Sequence, residues 1–109
     1  MRGVGIDIVE NARVKKSTSV SFARKVLSHD EMIRYESYKD KRKVEFLAGR
    51  FAAKEAIIKC LSDYELPVMT DLNIVNNEKG KPEIKYKDYE IEISISHENN
   101  YSTAIAVLE

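Results

Sequence analysis

The sequence predicts an α+β fold in which helices gather toward the N-terminal half and an antiparallel sheet packs against one long helix. Residues 46–59, Phe-Leu-Ala-Gly-Arg-Phe-Ala-Ala-Lys-Glu-Ala-Ile-Ile-Lys, are dominated by strong helix formers. Leu47, Phe51, Ile58 and Leu61 recur there at the spacing of a buried helical stripe. The chain opens on Gly3-Val4-Gly5-Ile6-Asp7-Ile8-Val9-Glu10, which alternates as a strand does, and the second half repeats that alternation between turn signals.

Taken in order, residues 2–9 form the first strand, with Val4, Ile6 and Ile8 on one face and Gly5, Asp7 and Val9 on the other. A helical stretch over residues 12–27 follows, its continuity broken in expectation by Ser17-Thr18-Ser19. Ser28 and Glu31 have capping-box spacing, so a short helix with Met32, Ile33 and Tyr35 begins there and His29 is a surface residue at its entry. The long helix spans residues 41–62 and ends before Pro67. Leu72, Ile74 and Val75 make a strand, residues 77–82 a hairpin turn, and Ile84 and Tyr86 the return. After a turn at Lys87-Asp88, Ile91, Ile93 and Ile95 alternate with Glu92, Ser94 and Ser96, and His97 closes that strand on the isoleucine face. The last strand, Tyr101 to Leu108, is apolar on both faces and therefore central or covered.

A length of 109 residues predicts one domain over 1–109, small enough that a shared subunit interface would help it bury its apolar surface. With 43% hydrophobic and 33% charged residues the composition is that of a globular protein, not a disordered one. One cysteine, Cys60, forms no internal disulfide, and no segment reads as a membrane span or signal peptide, so a cytoplasmic location is expected. Net charge is zero but uneven: residues 1–54 hold 13 Lys/Arg against 7 Asp/Glu, and residues 55–109 hold 5 against 11. Residues 11–29 carry Arg13, Lys15, Lys16, Arg24 and Lys25 with no acid among them. Such a patch calls for an acidic partner. No aromatic interleaving or nucleic-acid motif accompanies it, so an acidic protein fits better than nucleic acid. The plainer alternative is a solvated helix face.

Two features point to chemistry. On the long helix, Ala48, Ala52, Glu55 and Lys59 share a face, where small residues would let something large lie against the helix beneath a carboxylate and an amine. A simple surface Glu–Lys pair is the alternative. Asp7 sits inside a strand, where aspartate is disfavoured, two residues after a glycine, as though an ion or ligand approached the backbone there; an edge-strand aspartate that blocks pairing is the alternative. Two isolated carboxylates make a hard oxygen site suited to Mg²⁺, with room for waters and phosphates.

The opening Gly-Ile-Asp-Ile-Val-Glu, the block Glu45-Phe-Leu-Ala-Gly-Arg-Phe-Ala-Ala-Lys-Glu-Ala56, the turn Gly80-Lys81-Pro82 and Ile95-Ser96-His97 together resemble, in order and spacing, the short single-domain 4′-phosphopantetheinyl transferases, the holo-[acyl-carrier-protein] synthases of bacteria. The similarity runs over essentially the whole chain. It implies the 4′-phosphopantetheinyl transferase fold and an enzyme of fatty acid biosynthesis. That enzyme moves the phosphopantetheine arm of coenzyme A to a serine of an acyl carrier protein and releases adenosine 3′,5′-bisphosphate. Carried over by motif, Asp7 and Glu55 are implied Mg²⁺ ligands, with Val9 where the larger branch of the superfamily has a third carboxylate. Lys59 is an implied phosphate contact, and Glu55, or a water held on the metal beside it, the base for the serine proton. Arg50 and His97 are implied at the nucleotide end of coenzyme A, with Gly80, Lys81 and Pro82 beside the adenine. Arg13, Lys16, Arg24 and Lys25 fall in the carrier-docking segment. The resemblance also implies a homotrimer with each site at a subunit boundary. The chain departs from the pattern at Ile58, where relatives often have a polar or small residue, and at residues 62–67, where they are usually glycine-rich. A different Mg²⁺-dependent phosphotransfer or hydrolysis enzyme, and a non-catalytic domain that binds an acidic protein, are the competing readings. The first would lack the Gly-Lys-Pro and Ser-His blocks, and the second has no use for Asp7, Glu55 and Lys59 together.

Overall fold

The computed structural model describes residues 1–16 and 20–109 and runs β1 (Gly3–Glu10), α1 (Asn11–Lys16), α2 (Val20–Val26), α3 (His29–Ser37), α4 (Asp40–Cys60), a 3₁₀ turn (Met69–Asp71), β2 (Ile74–Asn76), β3 (Pro82–Ile84), β4 (Ile91–His97) and β5 (Tyr101–Leu108). The α+β class and nearly every expected element are therefore present. The expected break at Ser17-Thr18-Ser19 lies outside the described residues.

The capping box starts α3 as its spacing predicts. The Ser28 hydroxyl accepts from the Glu31 amide and the Glu31 carboxylate accepts from the Ser28 amide, satisfying two otherwise orphaned donors. A single antiparallel sheet was expected, but the strands divide into a three-stranded sheet of order β1-β5-β4 and a separate pair, β2-β3. The division has a local cause. Pro82 opens β3 and lacks an amide donor, β3 lasts three residues, and Lys87 takes a left-handed conformation at φ 52°, so Tyr86 makes only an isolated bridge to Tyr89. β5, apolar on both faces, lies between β1 and β4, as expected.

The core is the contact of α4 with the inner face of the larger sheet. Leu47, Ala48, Ala52, Ala53, Ala56, Ile57, Cys60 and Leu61 are buried against Val9, Ile93, Ala104, Ala106 and Leu108. Small residues on both surfaces bring the backbones close. A Cβ at Gly5 would stand 1.9 Å from the Ala56 carbonyl oxygen, and one at Gly3 would stand 2.2 Å from that of Cys60. This corrects two expectations. The glycine before Asp7 admits the helix, not an ion, and the bulky neighbour of Ala48 and Ala52 is the protein's own core, not a ligand.

That close approach also decides which face of β1 turns outward. Val4, Ile6 and Ile8 are more than half exposed, while Gly5 and Val9 face the helix. Cross-strand pairing sets Val4 beside Val107 and Ile6 beside Ile105, and Tyr101 lies further along β5, so the outer face of the sheet is an apolar surface.

Candidate active site

Asp7, midway along β1, and Glu55, on the second turn from the end of α4, meet at a cleft of about 340 Å³. Its other walls are Ile8, Val9, Glu10, Arg13, Val14, Phe22 and Phe51, the last two in edge-to-face contact at 5.4 Å. The Thr103 hydroxyl donates to the Asp7 carbonyl at 2.7 Å, which pins the strand from the β5 side. Partial burial pushes the Glu55 carboxyl above the usual carboxylate range, Asp7 adds to the rise, and Lys59 opposes it. Lys59 makes no i,i+4 ion pair with Glu55 among the described residues. Its ammonium crosses to β1, 2.8 Å from the Ile6 carbonyl oxygen and 3.3 Å from Asp7 Oδ1.

The donor set fits Mg²⁺. The Asp7 charge adds to the cost of ionising Glu55, a penalty that a divalent cation relieves. Among the described residues no three His, Cys, Asp or Glu side chains are arranged to hold one metal ion, and Val9 is buried against the core. The protein thus offers two oxygen ligands and leaves space for waters and phosphate oxygens, the arrangement that small, reluctantly dehydrated Mg²⁺ takes.

A second cleft, of about 210 Å³, opens where α3, α4, β4 and the β2–β3 turn meet. It gathers Arg50, Gly80, Pro82 and His97, four of the residues implied for the nucleotide, together with Arg34, Tyr38, Arg42, Glu45, Phe46 and Asn76. Gly80 takes φ +85°, a conformation costly for any side chain, and its carbonyl accepts from the Asn76 amide, so the turn is held against the cleft. Arg50 and Arg34 lie over the Phe46 ring and Arg42 over Tyr38, at 4.6, 5.9 and 4.7 Å. Arg34 also donates to the Tyr38 hydroxyl at 2.8 Å, which lowers the tyrosine's pKa from its ordinary value. His97 Nδ1 stands 3.6 Å from Glu45 Oε2. Three guanidinium groups over aromatic rings suit a planar ring bearing phosphates.

The expected site residues are thus split between two clefts that share no lining residue. The reason is helical geometry: five residues separate Arg50 from Glu55, which turns them about 140° apart around α4. Lys81 joins neither cleft, its ammonium lying 3.2 Å from Glu92 on the exposed side of the hairpin. Of the basic segment, Arg13 borders the carboxylate cleft, Lys16 and Lys25 are exposed, and Arg24 edges a separate depression beside Leu27, Met32 and Ile33. The residues missed from the sequence are Arg42, Phe46 and Asn76 in the second cleft and the buried pair Glu31 and Lys54. Arg42, Phe46 and Arg50 follow a four-residue spacing, a stripe that could have been read. Residues 62–67, which depart from the resemblance, are fixed by Glu65, which accepts from Tyr86, Lys87 and Tyr89 at 2.8–2.9 Å.

Residues 3–106 match the model of the 4′-phosphopantetheinyl transferase superfamily. The chain is 38% identical to the holo-[acyl-carrier-protein] synthase of Staphylococcus carnosus, over 98% of its own length and 96% of the relative's. It is 41% identical to that of Anoxybacillus flavithermus, over 98% and 94%. Among solved structures, a holo-(acyl-carrier-protein) synthase from Bacillus anthracis in complex with CoA (3′,5′-ADP) superposes at a TM-score of 0.88. It is 33% identical, with 99% of this chain and 96% of that one covered. The coenzyme A complex of the Helicobacter pylori synthase gives a TM-score of 0.79 at 27% identity, covering 97% and 99%. No helix among the described residues is long and apolar enough to cross a membrane. With its fold and full-length similarity in agreement, the chain is a transferase that belongs to the holo-[acyl-carrier-protein] synthases of the 4′-phosphopantetheinyl transferase superfamily.

Proposed function

We propose that this protein moves the 4′-phosphopantetheine group of coenzyme A to a serine hydroxyl of an apo-acyl carrier protein, with Mg²⁺, leaving adenosine 3′,5′-bisphosphate. The observation that carries the reading is the meeting of Asp7 and Glu55 at one cleft, with the Lys59 ammonium 3.3 Å from Asp7, in a chain of this family. Asp7 and Glu55 would hold the cation, and a bound Mg²⁺ would supply Lewis-acid polarisation of the pyrophosphate oxygens. Lys59 brings a second positive charge to the same place, suited to the phosphate left behind as the P–O bond to the nucleotide breaks. Glu55, or a water beside it, would take the serine proton as the new O–P bond forms.

The second cleft is the proposed seat of the nucleotide end, with Arg50 and His97 toward phosphates and Gly80 and Pro82 beside the adenine. The two clefts lie on different sides of α4, an arrangement that suits a coenzyme A bound between chains. The apolar outer sheet face of Val4, Ile6, Ile8, Tyr101 and Ile105 supplies a surface for that association, which we take to be a homotrimer. Arg13, Lys16, Arg24 and Lys25 are proposed to dock the acidic carrier beside the carboxylate cleft. A buried thiol at Cys60 with no partner cysteine agrees with a cytoplasmic location. The test is to incubate the protein with coenzyme A, Mg²⁺ and apo-carrier and to weigh the carrier. Gain of one phosphopantetheine on the serine, with matching release of adenosine 3′,5′-bisphosphate, supports the reading, and an unchanged carrier overturns it.

A further inference from the structure

Beneath the second cleft lies a buried ionic cluster that the transfer reaction does not itself use. The Glu31 carboxylate, 1% exposed, takes the ammonium of Lys54 on one oxygen along with the Ser28 amide, and the Ile74 amide on the other at 3.0 Å. Arg50 Nε faces that second oxygen at 3.4 Å. Lys54 is fully buried and also donates to the Val26 and Met69 carbonyls at 2.8 and 2.9 Å, so its three donors are saturated. Arg50 is not. Its Nη2 donates to Asn76 Oδ1 at 2.6 Å, but its Nε is the one buried side-chain polar atom among the described residues without a hydrogen bond. The Arg50–Glu31 pairing is therefore one of charge and not of an aligned hydrogen bond.

Two buried cations thus share one carboxylate, and Lys54 holds the better part of it. The excess positive charge falls on Arg50, the member of the cluster that lines the cleft. An interior cation with half a counter-ion is costly unless an anion completes it. We propose that Glu31 and Asn76 are positioning residues for Arg50: they fix its guanidinium from two sides while leaving its charge incompletely neutralised, so that an anionic group of the ligand in this cleft becomes its remaining partner. This rests on the reading of the second cleft as the nucleotide seat. It assigns a function to the Ser28–Glu31 capping box beyond starting α3, since the same carboxylate links the helix entry to the cleft.

The test is a double-mutant cycle on direct binding of adenosine 3′,5′-bisphosphate, read by calorimetry, with the steady-state constants for coenzyme A alongside. Arg50→Ala, Asn76→Ala and Glu31→Gln are each expected to weaken nucleotide binding roughly tenfold or more, the scale of a lost charge-assisted hydrogen bond. KM for coenzyme A should rise and KM for the carrier should stay unchanged. In the Arg50→Ala background, Asn76→Ala and Glu31→Gln should add nothing further. Where Glu31→Gln leaves Lys54 unpaired and the chain unfolded, Glu31→Gln with Lys54→Met removes both charges together and takes its place in the cycle. If Arg50→Ala weakens binding but the other substitutions add to it in full, or do nothing, the positioning role is overturned and the nucleotide seat stands. If Arg50→Ala leaves binding unchanged, the seat itself is misplaced and the proposal falls with it.

Discussion

Lys59 Nζ lies 3.3 Å from Asp7 Oδ1, on the neighbouring strand, and not against Glu55 one helical turn before it. Asp7 is therefore partnered by an amine from the same helix that supplies the other carboxylate of the cleft. An ammonium on a flexible stem half exposed to solvent is a movable charge. It can rest on Asp7 and turn to a phosphate oxygen when one arrives. Lys59→Met should accordingly lower kcat by an order of magnitude or more, about the weight of one charge-assisted contact in a transition state, and leave the fold intact. Unaltered kcat in a rapid-quench assay would leave Lys59 as a surface ion pair.

Gly5 carries a packing constraint with no chemical role. Its missing side chain lets α4 approach β1, and a methyl group there would stand 1.9 Å from the Ala56 carbonyl oxygen. Backbone cannot swing aside as a side chain can, so Gly5→Ala should cost about 3 kcal/mol in urea denaturation, at the upper end of overpacking. A loss below a few tenths would show that strand and helix separate freely.

The outer sheet face should behave as an interface. Ile6 is 63% exposed and pairs with Ile105 on the same face. The unmodified protein should sediment as three chains, and Ile6→Glu should yield folded single chains with little activity, because the two types of cleft then no longer meet. A fully active single chain would refute the shared site.

How much of this was readable in the sequence depends on the range of the interaction involved. Asp7 and Glu55 stood out because each was locally out of place, an aspartate inside a strand and a carboxylate on an alanine-rich helix face. The capping box at Ser28 and Glu31 was also local and formed as expected. The orientation of β1 was not readable, because side-chain alternation puts valine and isoleucine inward by default. Here glycine wins the inner face through a contact with α4 half the chain away. The offset of Arg50 from Glu55 by about 140° was readable from their spacing on α4, but the folding of the β2–β3 turn over Arg50, which brings Gly80 and Pro82 to the second cleft, was not. Asn76 and Phe46 joined the cleft by the same long-range route and carried no motif of their own.

The stability of the loop after α4 should depend on acid pH. Three donors, Lys87, Tyr89 and Tyr86, hold the Glu65 carboxyl down from its ordinary 4.5 to about 2. A lowered pKa means that the folded state prefers the charged form, so the contribution is whole above about pH 4.5 and is lost as pH falls toward 2. Thermal melts should therefore show a steeper acid limb for the unmodified protein than for Glu65→Gln across that window. Parallel limbs would mean that the clamp contributes nothing.

The metal reading is tested most directly by titrating Mg²⁺ into the protein with coenzyme A present while following carrier mass. Transfer should require Mg²⁺, stop on chelation with EDTA and resume when the metal is restored. Asp7→Asn and Glu55→Gln should each keep the native circular dichroism spectrum, bind Mg²⁺ far more weakly and leave the carrier at its apo mass. Conversion of the carrier at the unmodified rate by either variant, or by the unmodified protein in excess EDTA, would contradict the account.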